Sequence, residues 1–234
     1  MRLLFLDIET VRNALPWTPP LNKPDAFPPI PCWDIVCIGG MLITVKDGKA
    51  AAKLKIVEGT PAEACLAVAR IAREADLVTF NGRAFDLPVI ESTILRRPDA
   101  VAPRLFSKAV RGRYDSGHID VSDYLTNHGS IAPVSFDLWC KSVGLAGKGD
   151  THGADVAELV AAGRLADVHA YCLSDVAQTG LLAMDALRAS GGLTVEIAEI
   201  VEAEIWRAVD AVPGLAWVAD CPRRRLRDAE GIAK

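Results

Sequence analysis

Two carboxylates follow a short apolar run near the beginning of the chain. The run occupies residues 3–6 and leads into Asp7 and Glu9, which flank Ile8. Because successive side chains of a strand point to opposite faces, Asp7 and Glu9 share one face. Two like charges on a buried face are costly unless something neutralises them, and divalent cations such as Mg²⁺ prefer carboxylate oxygens. The pair indicates a metal site, with a strand end that reaches water as the alternative.

A third carboxylate follows a second apolar stretch. Residues 77–80 are expected to form a short strand with a turn at Asn81 and Gly82, and Asp86 lies at the beginning of the next helix. This places Asp86 at the carboxyl end of a strand, where α/β sheets bind their ligands. The alternative is an ordinary turn followed by an acidic residue that the helix dipole favours.

A tyrosine and a fourth carboxylate lie inside a long apolar helix. Tyr171 and Asp175 are four residues apart, so the two side chains lie on one helical face. Aspartate is a poor helix former, and the flanking Leu173 and Val176 indicate that this stretch is buried. A buried aspartate needs a partner. The alternative is an aspartate that caps the helix or faces solvent.

The composition bounds the class of protein. Half of the 234 residues are hydrophobic, which is enough to bury the core of one domain or one and a half. A formal net charge of -4 argues against an indiscriminate, basic nucleic-acid binder. It does not exclude a nuclease, in which an acidic metal site and basic substrate contacts occupy different places.

Cysteine usage and hydropathy bear on the compartment. The six cysteines are widely scattered and have no zinc-ligand spacing, which favours free thiols in a reducing cytoplasm over a disulfide framework. The first residues resemble neither a signal peptide nor an anchor, and the apolar runs are too short to span a bilayer. We therefore expect a cytoplasmic location.

The pattern of hydrophobic residues and turn residues predicts the elements that position these side chains. Strands are predicted at residues 2–8, 35–45, 52–57 and 77–80, with a brief strand at Ile119 and Val121. Helices are predicted at residues 61–75, 85–95, 136–143, 154–162, 165–187 and 194–209. Residues 12–33 are rich in proline, which predicts a long loop, and the sequence after Pro213 is weakly patterned. This order of elements predicts an α/β fold with a mixed sheet.

Taken together, the three acidic motifs resemble the DEDD superfamily of 3'-to-5' exonucleases. The resemblance is closest to the group related to the proofreading exonucleases of family B DNA polymerases. It rests on residues 5–10, 80–88 and 171–175, in that order and spacing, and it also includes residues 118–121 and 144–150. It implies a ribonuclease-H-like fold, a mixed central sheet flanked by helices. We expect an exonuclease domain over residues 1–190, with a helical extension and basic tail at 191–234 that packs on it or trails it.

The resemblance also implies a role for each acidic residue. Asp7, Glu9 and Asp175 would hold one metal ion, Asp7 would bridge to a second, and Asp86 would support the second through water. Two ions of Mg²⁺ or Mn²⁺ are expected, as in other two-metal phosphodiester hydrolases. Tyr171 would orient the attacking water. A His-type site needs histidine five residues before Asp175, but that position is Ala170, and His169 points to another face of the helix.

Substrate contacts are less well specified by the sequence. The candidates for nucleic-acid contact are Thr10, Asn81, Phe85, Arg111, Arg113 and Lys148. Basic residues are dense in segments 96–113 and 223–227, which suits phosphate contact, with a solvated loop and a solvated tail as the alternatives. Lys148 lies in a glycine-rich loop that either touches a phosphate or is a simple turn. For Asp120 and Asp123, polar support of the sheet edge or plain exposure is favoured over metal ligation.

The function implied is a metal-dependent 3'-to-5' exonuclease that acts on single-stranded DNA ends and releases nucleoside monophosphates. Two alternatives stay open. The first is an RNA-processing exoribonuclease, since sugar discrimination depends on contacts to the 2'-position. The second is a catalytically silent nucleic-acid-binding or polymerase-accessory module on the same fold. A polymerase or DNA-repair partner would act in trans.

Overall fold

A mixed β-sheet lies at the centre of the computed structural model, which describes residues 1–97, 117–149 and 153–229. Its strands are β1 (Arg2–Arg12), β2 (Trp33–Lys46), β3 (Lys49–Ile56), β4 (Asp76–Thr79) and β5 (His118–Asp120). They lie side by side in the order β3-β2-β1-β4-β5. β2 is antiparallel to both β1 and β3, whereas β4 is parallel to both β1 and β5. The parallel strands β1, β4 and β5 therefore bring their carboxyl ends to the same edge.

Helices cover both faces of this sheet. They are α1 (Pro61–Ile71), α2 (Asp86–Leu95), α3 (Val121–Leu125), α4 (Phe136–Ser142), α5 (Val156–Ala161), α6 (Leu165–Ala189), α7 (Val195–Asp210), α8 (Ala216–Ala219) and α9 (Pro222–Ala229). Short 3-10 turns occupy Ile30–Cys32 and Gly153–Asp155. Within the described ranges, the helices lack the length and apolar character needed to cross a membrane. The predicted α/β fold with a mixed central sheet is confirmed.

The alternation of β1 determines where its carboxylates point. Leu4, Leu6 and Ile8 pack into the core beneath α1 and α2. Leu3 and Phe5 pack into the opposite core, which contains α6 and α7. Asp7 and Glu9 lie on the same face of β1 as Leu3 and Phe5, so they point toward α6.

Close packing of α6 onto the sheet depends on two glycines. A Cβ atom on Gly39 of β2 would lie 2.8 Å from the Sγ of Cys172, and one on Gly180 of α6 would lie 2.6 Å from Met41. Such distances are too short for real atoms, so a larger residue at either position would force the Cys172 or Met41 side chain, or α6 itself, to shift. The two glycines therefore allow α6 to lie close to β2.

Element boundaries differ from the prediction at several places. The strand predicted to include Val121 ends at Asp120, because the Asp120 carboxylate accepts the backbone N–H groups of Ser122 and Asp123 and caps α3. Helix α1 begins at Pro61 with a capping box, as predicted, but ends at Ile71 instead of residue 75. β1 continues to Arg12, into the segment predicted to be a loop.

The chain after residue 190 packs against the sheet domain. Val201, Ile205 and Val209 of α7 are buried in the same core as Phe5 of β1. The weakly patterned sequence after Pro213 forms α8 and α9. Helix α9 is held by Arg223, which forms ion pairs with Asp185 of α6 and with Glu202 of α7. These long-range ion pairs have no periodic signature in the sequence.

Candidate active site

Asp7 and Glu9 come together with a cysteine on the face of β1 that points toward α6. One carboxylate oxygen of Asp7, one of Glu9 and the Sγ of Cys172 all lie within 4.8 Å of one another. Burial, reinforced by the Asp175 carboxylate, raises the pKa of Glu9 to about 9. Burial and the neighbouring carboxylates, Asp86 first, also raise the pKa of Asp7 well above its ordinary value. Such crowding of acidic groups is what a bound cation relieves.

Asp86 joins this cluster from the first turn of α2. It is 6 % exposed, and burial raises its pKa to about 7, although hydrogen bonds from its own backbone and from that of Ile8 oppose the shift. The tight turn from β4 into α2 places it there. Asn81 adopts a positive φ of 59°, and a Cβ atom on Gly82 would lie 2.6 Å from the side chain of Thr79.

The remaining two predicted residues reach the cluster from α6. Tyr171 is 3 % exposed and Asp175 is 6 % exposed. Lys148 joins them, because its Nζ donates hydrogen bonds to the Tyr171 hydroxyl at 2.5 Å and to Asp175 Oδ2 at 3.0 Å. Burial raises the pKa of Asp175 and of Tyr171, and the Lys148 ammonium works against both shifts. Tyr171, Asp175 and Lys148 thus form one hydrogen-bonded group.

A specialised loop delivers the Lys148 ammonium. Gly147 and Gly149, on either side of it, have positive φ values of 76° and 57°, and a Cβ atom on Gly147 would lie 2.3 Å from Asp137 Oδ1. That oxygen accepts the backbone N–H of Lys148 at 2.9 Å. Gln178 of α6 both accepts the N–H of Gly147 and donates to its carbonyl, each at 2.7 Å. Sequence analysis missed Gln178, although a polar residue three positions after Asp175 in an apolar helix was a usable signal.

Two cysteines behind the carboxylates were also missed. Cys172 Sγ lies 3.6 Å from the Asp7 carbonyl and 3.7 Å from Asp7 Oδ2. The Cys37 thiol is hydrogen-bonded to Cys172, and this contact lowers the pKa of Cys37. Cys37 is opposite Glu9 in the β1–β2 register. No local sequence pattern indicates this pairing, because it depends on strand register.

The two extra carboxylates of β5 and α3 have structural partners. Asp120 accepts the backbone N–H groups of Asn81 at 2.8 Å and of Arg83 at 2.9 Å, and so holds the turn that precedes Asp86. Asp123 forms an ion pair with Arg83 at 3.0 Å. These contacts agree with the polar support that the sequence favoured over metal ligation.

The predicted substrate contacts are more dispersed. Thr10 is half-buried beside a register shift in β1, and the Asn81 side chain is exposed. Phe85 is half-buried and packs edge-on against Trp33 and Phe27, with ring centroids 5.8 and 5.6 Å away. Arg111 and Arg113 lie outside the described residues, so their contact with nucleic acid stays a prediction.

Several arginines of the two basic segments are engaged within the protein. Arg96 pairs with Asp34 and donates to the Pro31 and Trp33 carbonyls. In the C-terminal segment, Arg224 pairs with Asp210 at 2.6 Å and Arg225 with Asp220 at 2.7 Å. With the ion pairs of Arg223, these contacts describe a segment docked on the domain, which differs from the solvated tail that the sequence left open as an alternative.

His169 lies apart from the acidic cluster. It is half-buried and lines a groove with residues of β2, β3 and α1, including Ile35, Val57 and Pro61. The groove lies on another face of α6 from Tyr171, as the helical spacing predicted.

The mixed sheet and the helices on its two faces define a ribonuclease-H-like fold. The chain belongs to a family described as predicted 3'-5' exonucleases related to the exonuclease domain of PolB, which it matches over residues 67–211. The match includes Asp86, Lys148, Tyr171 and Asp175, while Asp7 and Glu9 precede it. A search of curated proteins finds no match. The resemblance stated from the motifs is thus confirmed, and the family implies a nucleic-acid substrate and use of a divalent metal.

Proposed function

We propose that this protein is a metal-dependent 3'-to-5' exonuclease that removes nucleoside monophosphates from single-stranded DNA ends. The observation that carries the proposal is the meeting of four carboxylates and a buried tyrosine at one edge of the sheet. Asp7, Glu9, Asp86 and Asp175 come from β1, α2 and α6, which are remote in sequence. Burial raises the pKa values of all four carboxyl groups, and neighbouring carboxylates add to the shift for Asp7, Glu9 and Asp86, so the group is not an ordinary set of surface acids.

The donor set fits hard divalent cations. Four carboxylates offer oxygen ligands, which Mg²⁺ and Mn²⁺ prefer, and they would balance most of the charge of two such ions. Asp7, Glu9 and Asp175 would hold one ion, and Asp7 with Asp86 the other. When bound, the two ions would supply an activated water and stabilise the charge on the leaving oxygen. Cys172 Sγ adds a softer donor beside Asp7, 3.7 Å from its carboxylate.

Tyr171 would orient the attacking water. Burial raises the pKa of its phenol, so the hydroxyl stays protonated at neutral pH and acts by hydrogen bonding instead of as a base. Lys148 donates to this hydroxyl and to Asp175, which fixes the rotamers of both side chains. We assign Lys148 the role of a positioning residue. The same Lys148 ammonium would also contact a phosphate of the substrate, as the sequence predicted.

A side-by-side digestion tests the proposal. Single-stranded DNA, duplex DNA and RNA, each labelled at the 5' end, are incubated with purified protein in Mg²⁺ or Mn²⁺. The expected result is a ladder that shortens from the 3' end, fastest on single-stranded DNA, with no cleavage in EDTA. Faster digestion of RNA would make the protein an exoribonuclease. Binding without cleavage in either metal would favour the catalytically silent module.

Asp7→Asn is the matched variant for this experiment. It removes the proposed bridging ligand but nearly preserves side-chain volume, so cleavage should be lost while the protein stays folded. Asp25→Asn, a change of the same type at an exposed position in the proline-rich segment, should cleave like the unmodified protein. Near-normal turnover of Asp7→Asn would refute the metal-site assignment.

A further inference from the structure

A cavity of about 440 Å³ borders the catalytic group on the side of Tyr171 and Lys148. Its walls come from the Lys148 loop, from the first half of α6 and from the chain around α8, which contributes Gly214 and Trp217. The volume falls in the range of about 300–1,000 Å³ that is typical of small-ligand sites. Trp217 is beyond residues 67–211, over which the family is matched. The part of the wall formed by Gly214 and Trp217 therefore lies outside the matched region, next to Lys148 and Tyr171 inside it.

The cavity presents an aromatic ring next to the reacting groups. Trp217 is 37 % exposed, so part of its indole is open to a ligand. Its ring rests on the Lys148 loop, since a Cβ atom on Gly149 would lie only 3.2 Å from Trp217 Cζ3. The chain around α8 also packs against α6, where a Cβ atom on Gly214 would lie 3.3 Å from the Cβ of Ala170. The indole is thus held at a fixed place beside Lys148.

Positive charge lies at the rim of the same cavity. Arg164 and Asp167 both line the cavity and pair at 2.6 Å, and both side chains are at least half exposed. Ion pairs of this kind contribute little to stability, so the guanidinium can be shared with an anionic ligand. A planar aromatic surface and a cation within one cavity are the groups that bind a nucleobase and its phosphate.

We propose that this cavity is a nucleotide subsite in which the Trp217 indole stacks on a base of the strand end. The inference rests on the proposed exonuclease function and assigns a substrate-binding role to the chain around α8. The base comes either from the nucleotide that is released or from one further along the strand. Both sources share the same chemistry, a flat ring joined to a phosphate.

Equilibrium binding separates this inference from the exonuclease proposal. Binding of a fluorescein-labelled single-stranded oligonucleotide is measured by anisotropy in Ca²⁺ for the unmodified protein, Trp217→Ala and Trp217→Phe. Loss of base stacking should weaken binding of Trp217→Ala roughly 5- to 150-fold, whereas Trp217→Phe keeps an aromatic ring and most of the affinity. Trp17→Ala, in the proline-rich segment, is the matched control and should bind like the unmodified protein. Equal affinities for all four proteins would overturn the subsite.

Hydrolysis in Mn²⁺ provides the second readout. The kcat/KM of Trp217→Ala is compared on the oligonucleotide and on bis(p-nitrophenyl) phosphate, a diester without a nucleobase. The ratio of kcat/KM on the oligonucleotide to kcat/KM on bis(p-nitrophenyl) phosphate should fall by the same factor as the oligonucleotide affinity. A loss of equal size on both substrates would make Trp217 a structural residue and overturn the subsite. If no protein hydrolyses either substrate but Trp217→Ala still binds more weakly, the exonuclease proposal fails and the subsite stands.

Competition by a nucleoside monophosphate identifies the source of the base. If it displaces the oligonucleotide from the unmodified protein and does so far less well from Trp217→Ala, the subsite holds the released nucleotide. If it competes equally with both while oligonucleotide binding differs, the subsite holds a base further along the strand.

Discussion

The side chain of Gln178 forms two hydrogen bonds, each of 2.7 Å, with the backbone N–H and C=O of Gly147. Gln178 is fully buried and lies three residues after Asp175 on α6. Gly147 immediately precedes Lys148, whose ammonium contacts Tyr171 and Asp175. One helix therefore carries two of the proposed catalytic side chains and also holds the loop that positions them.

Gln178→Leu is expected to lower both stability and turnover. It leaves the N–H and the C=O of Gly147 without partners, and each unsatisfied buried group costs about 1–3 kcal/mol. The loosened loop should misplace Lys148, so kcat should fall. Urea denaturation and single-turnover kinetics measure the two effects.

Val209→Ala is the control for stability alone. Val209 is buried in the core around α7, away from the catalytic group, so its truncation should destabilise the protein without changing the turnover of folded protein. If Gln178→Leu behaves in the same way, the hydrogen bonds to Gly147 have a structural role only.

Lys148→Met is expected to reduce turnover more than stability. The methionine fills a similar volume but removes the donor to Tyr171 and Asp175, and losing a positioning contact costs roughly 10- to 10³-fold in rate. Removing a cation beside the carboxylates should leave the apparent Mn²⁺ affinity unchanged or tighter. Metal titrations followed by the rate of cleavage measure both quantities.

Lys55→Met is the matched control for Lys148. Lys55 pairs with Glu58 at 3.7 Å on an exposed face of β3, so the variant should cleave normally. A loss of Mn²⁺ affinity in Lys148→Met that accounts for the whole rate defect would show that the lysine supports metal binding instead of Tyr171.

The metal-free protein is expected to lose stability as the pH rises. The pKa of Glu9 is about 9 in the folded state against an ordinary value of 4.5, and the pKa of Asp86 is about 7 against 3.8. At a pH between the ordinary pKa and the folded-state pKa of each group, the folded state binds more protons than the unfolded state. The free energy of unfolding therefore falls with increasing pH. Thermal unfolding in EDTA from pH 5 to pH 9 should show this decline.

Added Mn²⁺ should raise Tm most at the alkaline end, because it binds the deprotonated carboxylates and protons compete with it at lower pH. Asp7→Asn removes one of the crowded charges, so its metal-free profile should be flatter and its Tm at pH 8 no lower than that of the unmodified protein. Equal slopes for the two proteins would contradict the assignment of Asp7 to the cluster.

Local periodicity accounts for the part of the site that the sequence predicted. Alternation along β1 placed Asp7 and Glu9 on one face, and helical spacing placed Tyr171 and Asp175 together. The sequence also indicated the turn at Asn81 and Gly82 that leads to Asp86. These relations join residues within one element or one turn, where backbone geometry leaves few choices.

The features that the prediction missed depend on contacts between distant elements. Cys37 reaches Cys172 because of the β1–β2 register and the close approach of α6 at Gly39. Lys148 enters the cluster because Gly147 and Gly149 adopt positive φ values, which the sequence permits but does not require. The docking of α9 depends on ion pairs of Arg223 with partners 21 and 38 positions away.

Tyr171→Phe tests the assignment of the Tyr-type site. The variant keeps the aromatic ring, which is 3 % exposed, and removes only the hydroxyl that contacts Lys148 Nζ. We expect metal and oligonucleotide binding to persist and the single-turnover rate to fall roughly 10- to 10³-fold, within the range for one positioning contact. His169→Ala is the matched control, because His169 lies two residues earlier on α6 but lines the groove beside β2. Its rate should stay close to that of the unmodified protein. A large defect in His169→Ala with none in Tyr171→Phe would reverse the assignment and make the histidine the residue that assists the attacking water.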